Sequence, residues 1–385
     1  MGRTGMRLVR AAEDSAVFLF PLPLDCRSWP SRGRKEERRA EGLTRARRVA
    51  VVRAMNTRLF GKTGRNVSEI GLGTWQLGAN WGDVTDEVAL ETLRGAWEAG
   101  VSFFDTADVY GDGRSERLIG RFLKETAGVK PGELFIATKL GRRGDPGWPG
   151  NFTRAAVRRH TEDSLARLGV EALDLTQFHC VPPEELKRGE LFGWMEELKS
   201  EGKIKAYGAS VEAMDEALWC VEQQGCAALQ IIFNVFRQKP ITTLFDAAKK
   251  KNVALIVRLP LASGLLAGKM SAATTFDASD HRNFNRDGQQ FNVGETFAGL
   301  PFGKGVELAD KLKAFVPAGW TMADWALRWI LDFEAVSVII PGAKNPAQAT
   351  GNTRAAKLPK LSAEQHAQLA EFYTREVAAW IRGPY

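Results

Sequence analysis

From residue 55 onward the chain alternates short apolar runs with longer stretches of helical period. The runs fall at 70–72, 101–104, 134–137, 173–178, 204–208, 228–232, 253–257 and 336–340. Apolar runs this short, bounded by turn residues, read as strands buried on both faces. Between them the pattern predicts helices over 86–99, 113–126, 153–168, 190–200, 212–224, 241–251, 303–315, 321–332 and 346–355, and a last one over 362–380. Ahead of these, 57–60 and 66–69 flank a glycine-bounded turn at 61–64 and predict a β-hairpin. Eight strands, each followed by a helix, predict an α/β chain folded as a (β/α)8 barrel. An open doubly wound sheet would want GxGxxG after its first strand, and Gly71, Gly73 and Gly78 do not fit that spacing. The one long interruption, 271–301, is rich in Asp, Asn, Gly and Phe and is long enough to serve as a functional loop or lid.

Charge divides the chain. Residues 1–54 hold thirteen basic and six acidic residues, the whole of the formal excess of +7. From 53 basic and 46 acidic residues in total, 40 of each sign remain for 55–385. A neutral body has no domain-wide field for nucleic acid. The first 54 residues mix arginine clusters with prolines and lack an amphipathic period. The expectation is a disordered basic leader without catalytic role, with Met55 as the natural start and 55–385 as a single barrel domain. The longest uncharged apolar run, 16–24, is far short of the ~18 residues of a membrane span. Four cysteines without CxxC spacing suit a reducing, cytoplasmic setting.

Polar residues at the strand ends change the picture from fold to chemistry. A barrel collects its active site at the C-terminal ends of its strands. There the sequence places Asp105, Lys139 and His179 on three consecutive strands, with Tyr110 on the loop after Asp105. Each alone is ordinary, but neighbouring strands lie ~4.8 Å apart and bring the side chains together. Buried Lys139 needs a counter-charge, and Asp105 is the obvious one. The set suits proton delivery to a carbonyl. An ammonium lowers the pKa of a nearby phenol, and a neutral His179 orients the substrate oxygen. The remaining histidines, His160, His281 and His366, fall in helices or a loop, so no metal centre is expected. A hydride donor must then come from outside the protein, and a nicotinamide cofactor is the natural source.

The motif Asp105-Thr-Ala-Asp-Val-Tyr110-Gly111, followed by Ser115-Glu116, resembles the signature of the aldo-keto reductase family. Gly71-Leu-Gly73-Thr-Trp75, Ala137-Thr-Lys139 and Ile340-Pro341-Gly342-Ala343-Lys344 are similar to the family's other motifs and occur in its order. The resemblance spans about residues 57–357. It implies reduction of aldehydes or ketones with NADPH, NADH being possible, and a catalytic tetrad of Asp105, Tyr110, Lys139 and His179. It implies cofactor contacts at Gly73, Thr74, Trp75, Ser210, Gln230, Arg258, Pro260, Leu261 and Gly264. Gly342, Lys344, Gln348 and Asn352 would hold the adenosine end, with Lys344 facing the 2′-phosphate of NADPH.

Two positions depart from the family pattern. Val211 stands where Asn is frequent. Arg258 stands where an aromatic ring often stacks on the nicotinamide, and its charge is expected to favour NADPH over NADP⁺. Trp75, Trp81 and Phe178 are expected to line the substrate pocket, completed by 271–301. Two alternatives stay open: a cofactor-sensing regulatory subunit on the same barrel, and an isomerase or lyase using Lys139 as a Schiff base.

Overall fold

The computed structural model describes residues 55–78, 84–130 and 132–385. The expected leader, 1–54, and Trp81 lie outside the described residues. Two short strands, β1 (Thr57–Leu59) and β2 (Asn66–Ser68), pair antiparallel as the expected hairpin. Eight parallel strands follow: β3 (Leu72–Gly73), β4 (Phe103–Asp105), β5 (Phe135–Leu140), β6 (Leu175–His179), β7 (Tyr207–Ser210), β8 (Cys226–Ile232), β9 (Ala254–Arg258) and β10 (Val336–Ile339). Their spatial order is their chain order. Parallel bridges Ile70–Ile339 and Gly73–Gly342 bring the first strand to the last and nearly close the barrel. Gly73 permits this closure, because a Cβ there would fall 2.8 Å from the carbonyl oxygen of Ile340.

Period-two alternation divides each strand between two cores. Inward residues such as Phe103, Phe135, Leu175, Ile256 and Val338 fill the barrel. The hairpin adds Phe60, whose ring lies 5.3 Å from Phe103 and 4.9 Å from Phe135 and plugs the N-terminal end. Outward residues such as Phe104, Phe178 and Leu229 join the helices in a second, continuous layer. Thr85 caps the helix Asp86–Glu98, Thr153 the helix Arg154–Leu168 and Thr321 the helix Met322–Leu331, each accepting a bond from a first-turn N–H.

Most predicted helices are present with shifted ends. The run 241–251 divides into Pro240–Thr243 and Phe245–Lys250 at Leu244, and 362–380 leaves α-helical geometry after Phe372. The 271–301 segment is not an open loop. It carries the short helix His281–Phe284 and two tight turns, and it buries Phe297, Ala298 and Leu300. Among the described residues no helix is long and apolar enough to cross a membrane.

Candidate active site

Strand register sets the site. Asp105 pairs with Ala137, Lys139 with Gln177, His179 with Ser210, and Ser210 with Gln230. Lys139 lies two residues beyond the partner of Asp105 and His179 two beyond the partner of Lys139, while Ser210 and Gln230 are level with His179, so these inward side chains form one polar layer above the apolar fill. Lys139 is fully buried, and its Nζ donates to Asp105 Oδ1 at 2.5 Å, to the Thr106 carbonyl at 2.9 Å and to the Tyr110 hydroxyl at 3.1 Å. The loop after β4 is held in turn, with Thr106 N–H donating to Ala137 O and Asp108 N–H to Lys139 O. The His179 ring stands edge-on to Tyr110, centroids 6.0 Å apart. The structure thus brings Asp105, Tyr110, Lys139 and His179 together.

Electrostatics follows from burial and these partners. Burial is the largest influence on Tyr110 and holds its hydroxyl above the ordinary phenol range, with the Lys139 ammonium pulling the other way. Burial also opposes the charge on Lys139, but Asp105 and Tyr110 outweigh it and the ammonium is favoured. His179 is held well below its ordinary value by burial, then by the positive charges of Arg142, Lys139 and Arg258, so it is neutral. Its Nδ1 and the Ser210 Oγ are buried without a hydrogen-bond partner among the described residues.

A cavity of about 760 Å³ opens over this layer. Of the residues expected to touch cofactor, Gly73, Thr74, Trp75, Gln230, Arg258, Pro260, Leu261, Gly264, Gly342, Lys344, Gln348 and Asn352 line it, while Ser210 is buried and is not among the lining residues. Some of them also brace the walls. Gln230 Nε2 donates to Asp105 Oδ2 at 2.7 Å, Gln348 Oε1 accepts from Lys344 N–H, and Asn352 Nδ2 donates to Gly342 O. Trp75 stacks on Tyr110 and meets His281 and Phe291 from the 271–301 segment.

Phe178 is not a pocket residue. It precedes inward-facing His179 on β6, so it points outward, fully buried between Phe152 and Phe192 under the helices.

The charge on Arg258 is not bare. Its Nη1 lies 3.5 Å from Glu295 Oε1 and its Nη2 donates to the Val211 carbonyl. Glu295 also meets Arg142, which reaches Glu212 at 3.2 Å. Sequence reasoning missed Arg142, Glu212 and Glu295, since they sit on three separate loops without a shared motif. Cys180, Glu212 and Glu295 bring donor atoms within 4.8 Å of one another, but the two guanidinium groups already supply the positive charge a metal would bring.

A model of the aldo/keto reductase family matches residues 69–374. The chain is 32% identical over 302 residues to the aldo-keto reductase YhdN of Bacillus subtilis, covering 74% of this chain and 84% of that protein. It resembles the solved glycerol dehydrogenase AKR11B4 of Gluconobacter oxydans at 29% identity and a TM-score of 0.69, covering 86% of this chain and 98% of the other. It shares its fold with an aldo/keto reductase from Klebsiella pneumoniae solved with NADP and acetate, at 23% identity and a TM-score of 0.60, covering 83% and 96%. With its barrel, its motifs and a family match over most of its length, the chain belongs to the aldo/keto reductase family and is an oxidoreductase.

Proposed function

We propose that the chain reduces an aldehyde or ketone to the alcohol, with NADPH as hydride donor and Tyr110 as proton donor. The observation that carries this reading is Lys139 Nζ, held between Asp105 and Tyr110, both of which line the cavity. The cavity chemistry fits a nicotinamide cofactor. Ser210 Oγ and His179 Nδ1 are buried polar atoms without partners, and a carboxamide beside them would satisfy such groups. A Cβ on Gly342 would meet the terminal amide of Gln76, 2.1 Å away, so any side chain there would have to displace Gln76 at the cavity wall. Lys269, Arg282 and Lys344 line the same cavity and suit the phosphates of a nicotinamide dinucleotide.

The chemistry the cofactor supplies when bound is hydride donation. The chain's own residues do the rest. Neutral His179 orients the carbonyl oxygen beside Tyr110. The Tyr110 hydroxyl, kept protonated by burial, gives its proton to that oxygen. The Lys139 ammonium stabilises the phenolate left behind, and Asp105 holds Lys139 charged and aimed. A lysine kept charged has no free lone pair for a Schiff base.

The test is titration of the protein with NADPH and NADH, followed by cofactor oxidation with a panel of small aldehydes and ketones. Tighter binding of NADPH and turnover of at least one panel member are expected. Absence of cofactor binding overturns the reading.

A further inference from the structure

Arg258 ends β9 and lines the same cavity as Tyr110 and His179. It is a poor neighbour for a cationic ring, because two like charges in a partly dry cleft repel. The structure supplies what the local sequence around it does not, a carboxylate brought from 37 positions further along the chain.

Glu295 is nearly buried, and its placement is over-determined. Its N–H donates to Asn292 O, its own carbonyl accepts from Ser263 Oγ at 3.4 Å, and Ser263 Oγ also accepts from Phe297 N–H. Its Oε1 lies between two cations, 3.3 Å from Arg142 and 3.5 Å from Arg258. Burial works against charge on Glu295, but the two arginines outweigh it and keep the carboxylate ionised. The other groups around Arg258 are less able to answer its charge. Glu212 is pushed upward by burial and by the charge of Glu295, and the Cys180 thiol is pushed up to about 12. Arg237 and Arg142 add positive charge.

We propose that Glu295 is a positioning residue that sets the relative affinity for oxidised and reduced cofactor, acting through the guanidinium of Arg258. The inference rests on the reading that the nicotinamide lies beside Arg258. The oxidised ring carries one positive charge more than the reduced ring. Beside a bare guanidinium it would bind more weakly. With Glu295 opposite, part of that positive charge is offset and the two forms are held more evenly. The long segment therefore contributes a counter-charge to the redox end of the cavity as well as a wall.

The experiment titrates NADPH and NADP⁺ against the full chain and two variants. Glu295→Gln keeps the shape and removes the charge, so the ratio Kd(NADP⁺)/Kd(NADPH) rises about three- to tenfold. Arg258→Met removes the cation and leaves the carboxylate, so the same ratio falls. A loss of packing alone would weaken both forms together and leave the ratio where it was. Opposite shifts in the two variants support the inference. A ratio unchanged in both, with both forms still bound, overturns it while the cofactor reading stands. If Glu295→Gln does not fold, the direction of the Arg258→Met ratio decides: a fall supports the inference and no change overturns it. Failure of the unaltered chain to bind either form overturns the cofactor reading and this inference with it.

Discussion

Gln230 on β8 donates its amide to Asp105 on β4 across the interior of the barrel, Nε2 to Oδ2 at 2.7 Å. Gln177 on β6 approaches the same oxygen at 3.4 Å, while Oδ1 takes the Lys139 ammonium. Three strands besides its own thus converge on one carboxylate, and every group aimed at it is a donor. Only an ionised acid satisfies all of them.

Asp105→Asn should therefore destabilise the protein as well as impair it. The amide removes the only carboxylate in hydrogen-bond contact with Lys139 among the described residues, and it turns an NH₂ toward one of the donors. Breaking a buried pair from one side costs about 3–5 kcal/mol. Chemical denaturation of the two proteins measures this. Equal midpoints and slopes would mean that Lys139 finds its charge balance elsewhere.

Tyr110→Phe removes one oxygen from a side chain otherwise fixed by Trp75 stacking and by the loop after β4. Cofactor affinity should be unchanged. Turnover should fall by roughly 10²–10⁴, the contribution of a positioned proton donor. Steady-state rates beside a cofactor titration separate the two effects, and retained turnover would remove Tyr110 from the proton path.

Lys139→Met tests the other side of the same proton. Burial already holds the Tyr110 hydroxyl above the ordinary phenol range, and Lys139 is the main force opposing it. Without the ammonium the hydroxyl should titrate higher still. Reduction needs the protonated phenol, so activity is lost as pH rises through its pKa. The alkaline limb of the pH–rate profile should then move to higher pH, while the maximal rate drops because the phenolate is no longer stabilised. A profile of unchanged shape and height would leave Lys139 a structural ion-pair partner only.

Much of this site can be read from sequence because each polar residue interrupts an apolar run. Asp105, Lys139 and His179 stand out against strands that are otherwise buried, and the barrel rule says which end they share. The parity of the strands was equally present. His179 facing inward forces Phe178 outward, and assigning Phe178 to the pocket ignored that alternation. Glu295, Arg142 and Glu212 were not legible in the same way. They meet because loops from β5 and β7 and the 271–301 segment converge over Arg258, and no local spacing encodes that meeting. Asp108 is a further case. Inside a motif that attracts attention to its neighbours, it carries a charge problem that appears only once its surroundings are known.

Asp108 lies two residues before Tyr110, is fully buried, and has no hydrogen-bond partner on either carboxyl oxygen among the described residues. His160 Nδ1 is 3.5 Å away, and burial lowers the pKa of that ring, which weakens it as a cationic partner. Burial, then the charge of Glu116, raises Asp108 from 3.8 to about 8, against the pull of Arg167 and Arg143. Between those two values the folded protein keeps a proton that the unfolded chain has released. Stability from this group is thus complete below about pH 4 and is lost progressively as pH rises to about 8. Asn is close in shape to the protonated carboxyl and cannot ionise. Asp108→Asn should melt close to the unaltered protein near pH 4 and above it by a margin that widens toward pH 8. Taking the difference between the two melting temperatures at each pH cancels every other titrating group they share. A difference that stays flat from pH 4 to 8 would mean that Asp108 is ionised in the folded protein, held by a charge that reaches it from Arg143 or Arg167.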